Sequence, residues 1–303
     1  MFWAAVFSRP NKFWIAGQFE FWDLFDSGFV STNPEPRCVT IRKFKLTWSE
    51  LSLPFLPKYS SIHCLLLDVE GTTSSVEFVY KTLFPFASAH VESYLHRHSA
   101  EPEVRHLLSE LRAEQAADAA KDPQIGVWMR GTEEEEIVTA AQYVRHLIAV
   151  DRKTTPLKTL QGKIWEEGFR SGELLGDVYE DVPRAFAGWH AGGKRIAIFS
   201  SGSVQAQRLL FGHSKAGDLT KYIEAYFDTT TGPKREAASY AAIAKSLGVS
   251  AESILFVSDV EAELGAAREA GMQTALMLRP GTTRPVAARH GCIESFDELP
   301  DEA

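Results

Sequence analysis

The stretch LLLDVEGTT, residues 65 to 73, decides the fold. Leu65, Leu66 and Leu67 form an unbroken apolar run, which is how a strand reads when both faces of a parallel sheet are covered. Asp68 stands where such a strand ends, and Gly71 with its two threonines reads as the turn that follows. In open α/β sheets, ligands bind at the carboxyl ends of the strands. Two carboxylates there, Asp68 and Glu70, are costly to hold together without a cation or a proton between them. Taken alone, the pair is as compatible with a strand end facing water, so the rest of the chain has to decide.

Outward from this stretch the order is readable. IHCLLLDV (62–69) is a strand. FVYKTLFPFASAHVESYLHRH (78–98) has helical spacing, with Pro85 as a break or a helix start inside it. Residues 100 to 190 carry apolar residues at three- and four-residue spacing, which predicts helices almost throughout. EEEE at 133–136 reads as a solvated helix start, where acids suit the helix dipole. Strands then return: KRIAIFSSG (194–202), AYFDT (225–229), SILFVSD (253–259) and QTALMLRPG (273–281). Between them lie helices, one opening near Ser203 and one stopping at Gly248. Such alternation implies right-handed βαβ units and a parallel sheet. The expected fold class is α/β, a Rossmann-like parallel core with an inserted all-helical cap. The expected domains are 61–80 plus 191–303 for the core and 81–190 for the cap.

Three strands end on polar residues: Asp68 with Glu70, Ser200 with Ser201, and Asp259. In a parallel sheet these ends share one edge. Lys234 enters after a Gly-Pro turn, at the start of a helix. Each residue type has a use. Mg²⁺ wants one or two carboxylates plus water and phosphate oxygens. Ser201 and the amides after it suit phosphate at a helix start. Lys234 can neutralise charge on a phosphate and on a nucleophile. An aspartate can attack phosphorus and form an aspartyl-phosphate.

This order resembles the haloacid dehalogenase superfamily of phosphatases, with DVEGT, SSGS, Lys234 and SDVEAE as its four motifs. That superfamily usually has Asp where this chain has Glu70. The Asp-x-Glu-Gly-Thr-Thr form, FPF after it, DRKTTPLKTLQGKIWEEGF (151–169), SSGSVQAQRLLFGHS and FDTTTGPK resemble a narrower group, the enolase-phosphatase family of methionine salvage. The likeness runs from about residue 62 to residue 299. It implies an acireductone synthase acting on 2,3-diketo-5-methylthiopentyl-1-phosphate, first enolising it and then removing its phosphate, with one Mg²⁺ per subunit. It implies Asp68, Glu70 and Asp259 at the metal, Glu70 through its main-chain carbonyl. Ser200, Ser201 and Lys234 belong at the substrate, with Asp68, Glu70 and Lys234 catalytic. Glu263 falls where a second acid often stands and is expected to support the metal shell. The Glu70 side chain, one methylene longer than Asp, is expected to serve proton transfer at the diketone carbon and at the leaving oxygen.

Other features carry less. Lys153 and Lys158 compete for the role of base, but each reads as a solvent-facing lysine. His90, His96, His98 and His106 lack the spacing of a helical zinc site and read as surface residues. Trp165 or Phe169 is a candidate to line the pocket for an apolar methylthio tail, and each is equally a cap-core residue. RPGTTRP (279–285) reads as a loop. The chain has 303 residues, 45% hydrophobic and 24% charged, with a net charge of −8. An acidic chain of ordinary composition argues against nucleic acid as a partner. No apolar run approaches the roughly 18 residues that a membrane span needs. Cys38, Cys64 and Cys292 are far apart and odd in number, which fits a reducing compartment. A monomer in the cytoplasm, with the nucleus as a second location, is expected. Residues 1–60, dense in Phe and Trp, are expected to be an atypical extension, either disordered or derived from misassigned upstream codons.

Overall fold

The computed structural model describes residues 62–129, 131–282 and 289–299. The aromatic-rich extension, Cys38 and residues 283–288, which include the end of the 279–285 loop, lie outside the described residues. The sheet has six strands: β1 (Cys64–Leu67), β2 (Arg195–Phe199), β3 (Ala225–Phe227), β4 (Ile254–Ser258), β5 (Gln273–Met277) and β6 (Gly291–Ile293). Their order is β3-β2-β1-β4-β5-β6 and every pairing is parallel. This is the doubly wound order, and the direction of winding reverses between β1 and β4. Asp68 and Asp259 follow those two strands directly.

The burial explains the unbroken leucine run. Leu65 and Leu67 pack with Phe186, Trp189 and Phe211 on one face of the sheet. Cys64 and Leu66 pack with Tyr240, Ile243 and Leu264 on the other. Both faces are covered, so no position in β1 calls for a polar residue. Each buried leucine here contributes about 1.5–3 kcal/mol.

The helices α1 (Val76–Phe78) and α2 (Phe84–His98) are joined by a π turn at Val79–Leu83, in which the Phe84 N–H donates to the Val79 carbonyl. Pro85 therefore does not break the chain. It sits in the first turn of α2, where its missing N–H costs little, and the π turn absorbs the change of register. Trp165 Nε1 donates to the Leu83 carbonyl at 2.8 Å, which satisfies one of the groups this turn exposes. Four further helices follow: α3 (Pro102–Ala119), α4 (Glu133–Ala149), α5 (Thr155–Ser171) and α6 (Asp181–Ala191). Thr132 and Glu135 form a reciprocal capping box at the start of α4, so the EEEE run is an acidic first turn as read from the sequence. Helices α2 to α5 pack on one another, whereas α6 packs on β2.

The remaining helices are α7 (Val204–Gly212), α8 (Ala237–Leu247) and α9 (Glu261–Glu269). Ser203 caps α7 by accepting from the Ala206 N–H. Helix α8 begins later than its sequence suggests. Lys234 lies in the turn before it, and the Lys234 carbonyl accepts from Tyr240 Oη at 2.7 Å. Among the described residues, no helix is long and apolar enough to cross a membrane.

Candidate active site

The carboxyl ends of β1, β2 and β4 bring Asp68, Glu70, Ser200, Ser201 and Asp259 to one edge, and Lys234 joins them from the turn before α8. All six line a cavity of about 340 Å³. Asp68 is buried and held from several sides. Its Oδ1 accepts from the Val69 N–H at 2.8 Å and from Lys234 Nζ at 2.6 Å. Ser258 Oγ lies 3.0 Å from Asp68 Oδ2 and 3.3 Å from Glu263 Oε2. It has one proton to give, so it serves one of them at a time.

Lys234 also reaches Glu263 Oε2, at 2.7 Å. Burial alone would lower this lysine, but Asp68 and Glu263 outweigh burial and hold its ammonium above the usual lysine range. Glu263 is pushed up to about 7, because burial and the charge of Asp68 outweigh the pull of Lys234. Glu263, expected to support the metal shell, lines the same cavity and has its carboxylate on Lys234. Two of the three ammonium protons of Lys234 are thus committed to carboxylates.

Glu70 lies beyond Asp68 on the turn. Ser200 Oγ donates to Glu70 Oε2 at 3.2 Å and accepts from the Gly202 N–H at 3.0 Å. Burial, then the charge of Asp68, raises the Glu70 carboxyl above the ordinary range. The turn itself is tight. Gly71 has φ +73°, and a Cβ built on it would lie 2.2 Å from Asp259 Oδ2. Only a glycine brings the turn and Asp259 this close. Thr73 Oγ1 donates to the Asp68 carbonyl at 3.0 Å and closes the turn from beneath.

Asp259 is raised to about 6, first by burial and then by Asp68. Among the described residues no other residue donates a hydrogen bond to its carboxylate. Four acids, Asp68, Glu70, Asp259 and Glu263, thus surround one lysine. No group of three or more His, Cys, Asp or Glu side chains among the described residues closes into a metal cage. Mg²⁺ does not ask for one, since it takes one or two carboxylates and completes its shell with water and substrate oxygens. An unpartnered Asp259 beside a buried Asp68 is a donor set that fits such an ion.

The roof of the cavity comes from the helices. Val76, Tyr80, Phe84 and Trp165 supply apolar surface, and Val76 and Tyr80 are largely exposed. Trp165 reaches the cavity, whereas Phe169 is packed in the helical core against His213. Lys153 is a rim residue 3.6 Å from Asp151. Lys158 is not the solvent-facing lysine its sequence suggests. It stands in the first turn of α5, where side chains lean back toward the helix start and over the cleft. Its Nζ donates to the Ser201 carbonyl at 3.3 Å. The histidines stay away from the site: His98, for example, bridges Glu101 and Glu167 on the helical surface.

Sequence reasoning missed three contributors. Arg279, in the 279–285 loop, is buried and donates to the Thr72 carbonyl. Gln161 is buried on the cavity wall. Ser258 tethers Asp68. Only Ser258 had a local signal, as a polar residue ending an otherwise apolar strand.

A family profile for haloacid dehalogenase-like hydrolases matches residues 62–271. A curated relative from Synechococcus elongatus named Enolase-phosphatase E1 is 52% identical over 244 residues, covering 80% of this chain and 100% of its own. A relative of the same name from Drosophila erecta is 44% identical over 238 residues, covering 78% of this chain and 90% of its own. Among solved structures, the UTR4 protein (unknown transcript 4 protein) of Saccharomyces cerevisiae matches with a TM-score of 0.63 and 33% identity, over 78% of this chain and 100% of that one.

Proposed function

We infer, because this chain belongs to the haloacid dehalogenase-like hydrolases and among them to the enolase-phosphatase family, that it converts 2,3-diketo-5-methylthiopentyl-1-phosphate to 1,2-dihydroxy-3-keto-5-methylthiopentene in methionine salvage. The observation that carries the reading is the meeting of Asp68, Glu70, Ser200 and Lys234 at one strand edge. Asp68 is the nucleophile, aimed by the Val69 N–H, Lys234 and Ser258. Lys234 offsets the charge that a phosphoryl group brings to Asp68. Ser200, Ser201 and the amides opening α7 receive phosphate oxygens. Asp68, the Glu70 main-chain carbonyl and Asp259 would hold one Mg²⁺, which when bound supplies Lewis-acid stabilisation of phosphoryl and enolate oxygens. Helices α2 to α5 act as the cap over the site, whereas α6, expected to belong to that cap, packs on β2 of the core.

The two half-reactions belong together chemically. Glu70 takes the proton from the carbon that bears the phosphate ester, and the C–H electron pair becomes the C=C bond of an enol phosphate. The leaving group is then an enediol oxygen, far less basic than an alkoxide. Phosphoryl transfer to Asp68 is easier, because its loose transition state puts charge on that oxygen. Glu70 returns a proton there, then helps water to hydrolyse the aspartyl-phosphate.

The test follows ultraviolet absorbance of the enolised species and released phosphate together, with Mg²⁺ and the diketone phosphate. The wild type should give both signals, and Asp68→Asn should accumulate the enolised species without phosphate. A wild type that hydrolyses simple esters and ignores the diketone would remove the substrate from this reading.

A further inference from the structure

Enolisation needs a base and also a partner for the oxygen that becomes negative. Glu70 is the base in the reading above, but Lys234 is poorly placed to be that partner. Two of its three ammonium protons are committed to Asp68 and Glu263, at 2.6 and 2.7 Å. The cavity holds another cation. Among the described residues Lys158 makes one hydrogen bond, 3.3 Å to the Ser201 carbonyl, and retains protons to donate. One turn along α5, Gln161 is buried at 4% exposure and lines the same cavity. Its amide makes no hydrogen bond among the described residues. Its amide keeps accessible surface and lines the cavity, so a ligand oxygen there can accept from it. Residues at i and i+3 share one helix face, about 5–6 Å apart at Cβ. They therefore present two donors side by side, a spacing suited to two adjacent carbonyl oxygens.

We propose that Lys158 and Gln161 form the diketone subsite, Lys158 donating to the oxygen that becomes the enolate and Gln161 to the neighbouring keto oxygen. The base and this donor pair are linked through two consecutive residues of the β2–α7 turn. Ser200 donates to Glu70, and Ser201 accepts from Lys158. Proton removal and charge stabilisation thus occur over a single short segment. The electron pair released as the C–H bond breaks forms C=C, the carbonyl π pair moves to oxygen, and Lys158 holds that oxygen. No oxidant or additional reactant is involved.

The inference rests on the diketone reading, so its test separates the two. Asp68→Asn serves as the parent, because it isolates enolisation from phosphate release. Deuterium uptake at the phosphate-bearing carbon is followed by NMR in heavy water with Mg²⁺. Lys158→Met in this parent should slow exchange about a hundredfold, the usual effect of removing one donor to a developing oxyanion. Lys158→Arg should recover part of the rate, and Gln161→Leu should weaken binding of the diketone phosphate. Lys158 is partly exposed, so Lys158→Gln serves as a second variant with little risk to folding. Parent-like exchange in Lys158→Met and Lys158→Gln overturns the inference and leaves the diketone reading intact. A parent that neither binds nor exchanges the diketone overturns both.

Discussion

Arg279 Nη1 donates to Asp181 Oδ2 at 2.7 Å, and both side chains are buried. The same guanidinium gives Nε and Nη2 to the Thr72 carbonyl, at 2.9 and 2.7 Å, and lies against the rings of Tyr179 and Phe296. One side chain from the loop after β5 thereby fixes both the turn after Asp68 and the start of α6. Removing the arginine strands a buried carboxylate, which typically costs about 3–5 kcal/mol. Arg279→Met should lose about that much in urea unfolding. Arg279→Met combined with Asp181→Leu should regain part of it, since no buried charge is left unpaired. Equal losses in the single and double variants would exclude the stranded charge as the cause.

Gly71 carries the closest approach in the site. Alanine there must adopt φ near +73° and place its Cβ against Asp259. The left-handed backbone alone costs about 1–2 kcal/mol, so the fold survives, but Asp259 or the turn must move. A displacement of about 1 Å at a reacting centre can reduce turnover a hundredfold. Gly71→Ala should therefore keep its circular dichroism spectrum and lose roughly that factor in phosphate release. Wild-type turnover would mean that this approach does not matter to catalysis.

His98 offers a pH test away from the site. Its Nδ1 and Nε2 each lie 2.6 Å from a carboxylate, Glu101 and Glu167, while Arg97 also pairs with Glu167 and the ring of Tyr94 stacks at 4.4 Å. The hydrogen bond to Glu101, with that to Glu167, outweighs burial and raises the imidazole above its usual value. A folded-state value above the unfolded one stabilises the protein while the ring is charged. That contribution is complete below the ordinary imidazole range, about 6.5, and is lost as pH rises through the raised value. The melting-temperature gap between wild type and His98→Gln should be larger at about pH 5.5 than at about pH 9. A gap independent of pH would show that the ring contributes through packing alone.

The sheet and its polar edge were legible because their signals are local. An apolar run ending on Asp68, Ser200 or Asp259 marks a covered strand and its carboxyl end in the same few residues. β6 has no such signal, because Gly291–Ile293 is three residues long and has no alternation to detect. Arg279 reads as part of a loop, since its partner Asp181 lies 98 residues away and nothing beside it signals burial. Lys158 shows the same limit from the other side. Helical periodicity indicates which residues share a face. It does not tell that the first turn of α5 faces the Ser201 carbonyl rather than water.

Asp259 permits a test of the metal that does not depend on turnover. Without a cation its charge is unfavourable, because burial and Asp68 both push its pKa upward. Asp259→Asn removes that repulsion and should leave the metal-free protein as stable as wild type or more so. Mg²⁺ reverses the ranking. A ligand that binds only the folded state at about a hundred times its Kd adds about 2.7 kcal/mol. Wild type should therefore melt several degrees higher as Mg²⁺ is titrated in, and Asp259→Asn should respond far less. Removing Mg²⁺ with a chelator should return the wild type to its starting value. If the Asp259→Asn variant shifted with Mg²⁺ as strongly as wild type does, the cation would have to be held elsewhere, and the unpartnered carboxylate would need another explanation.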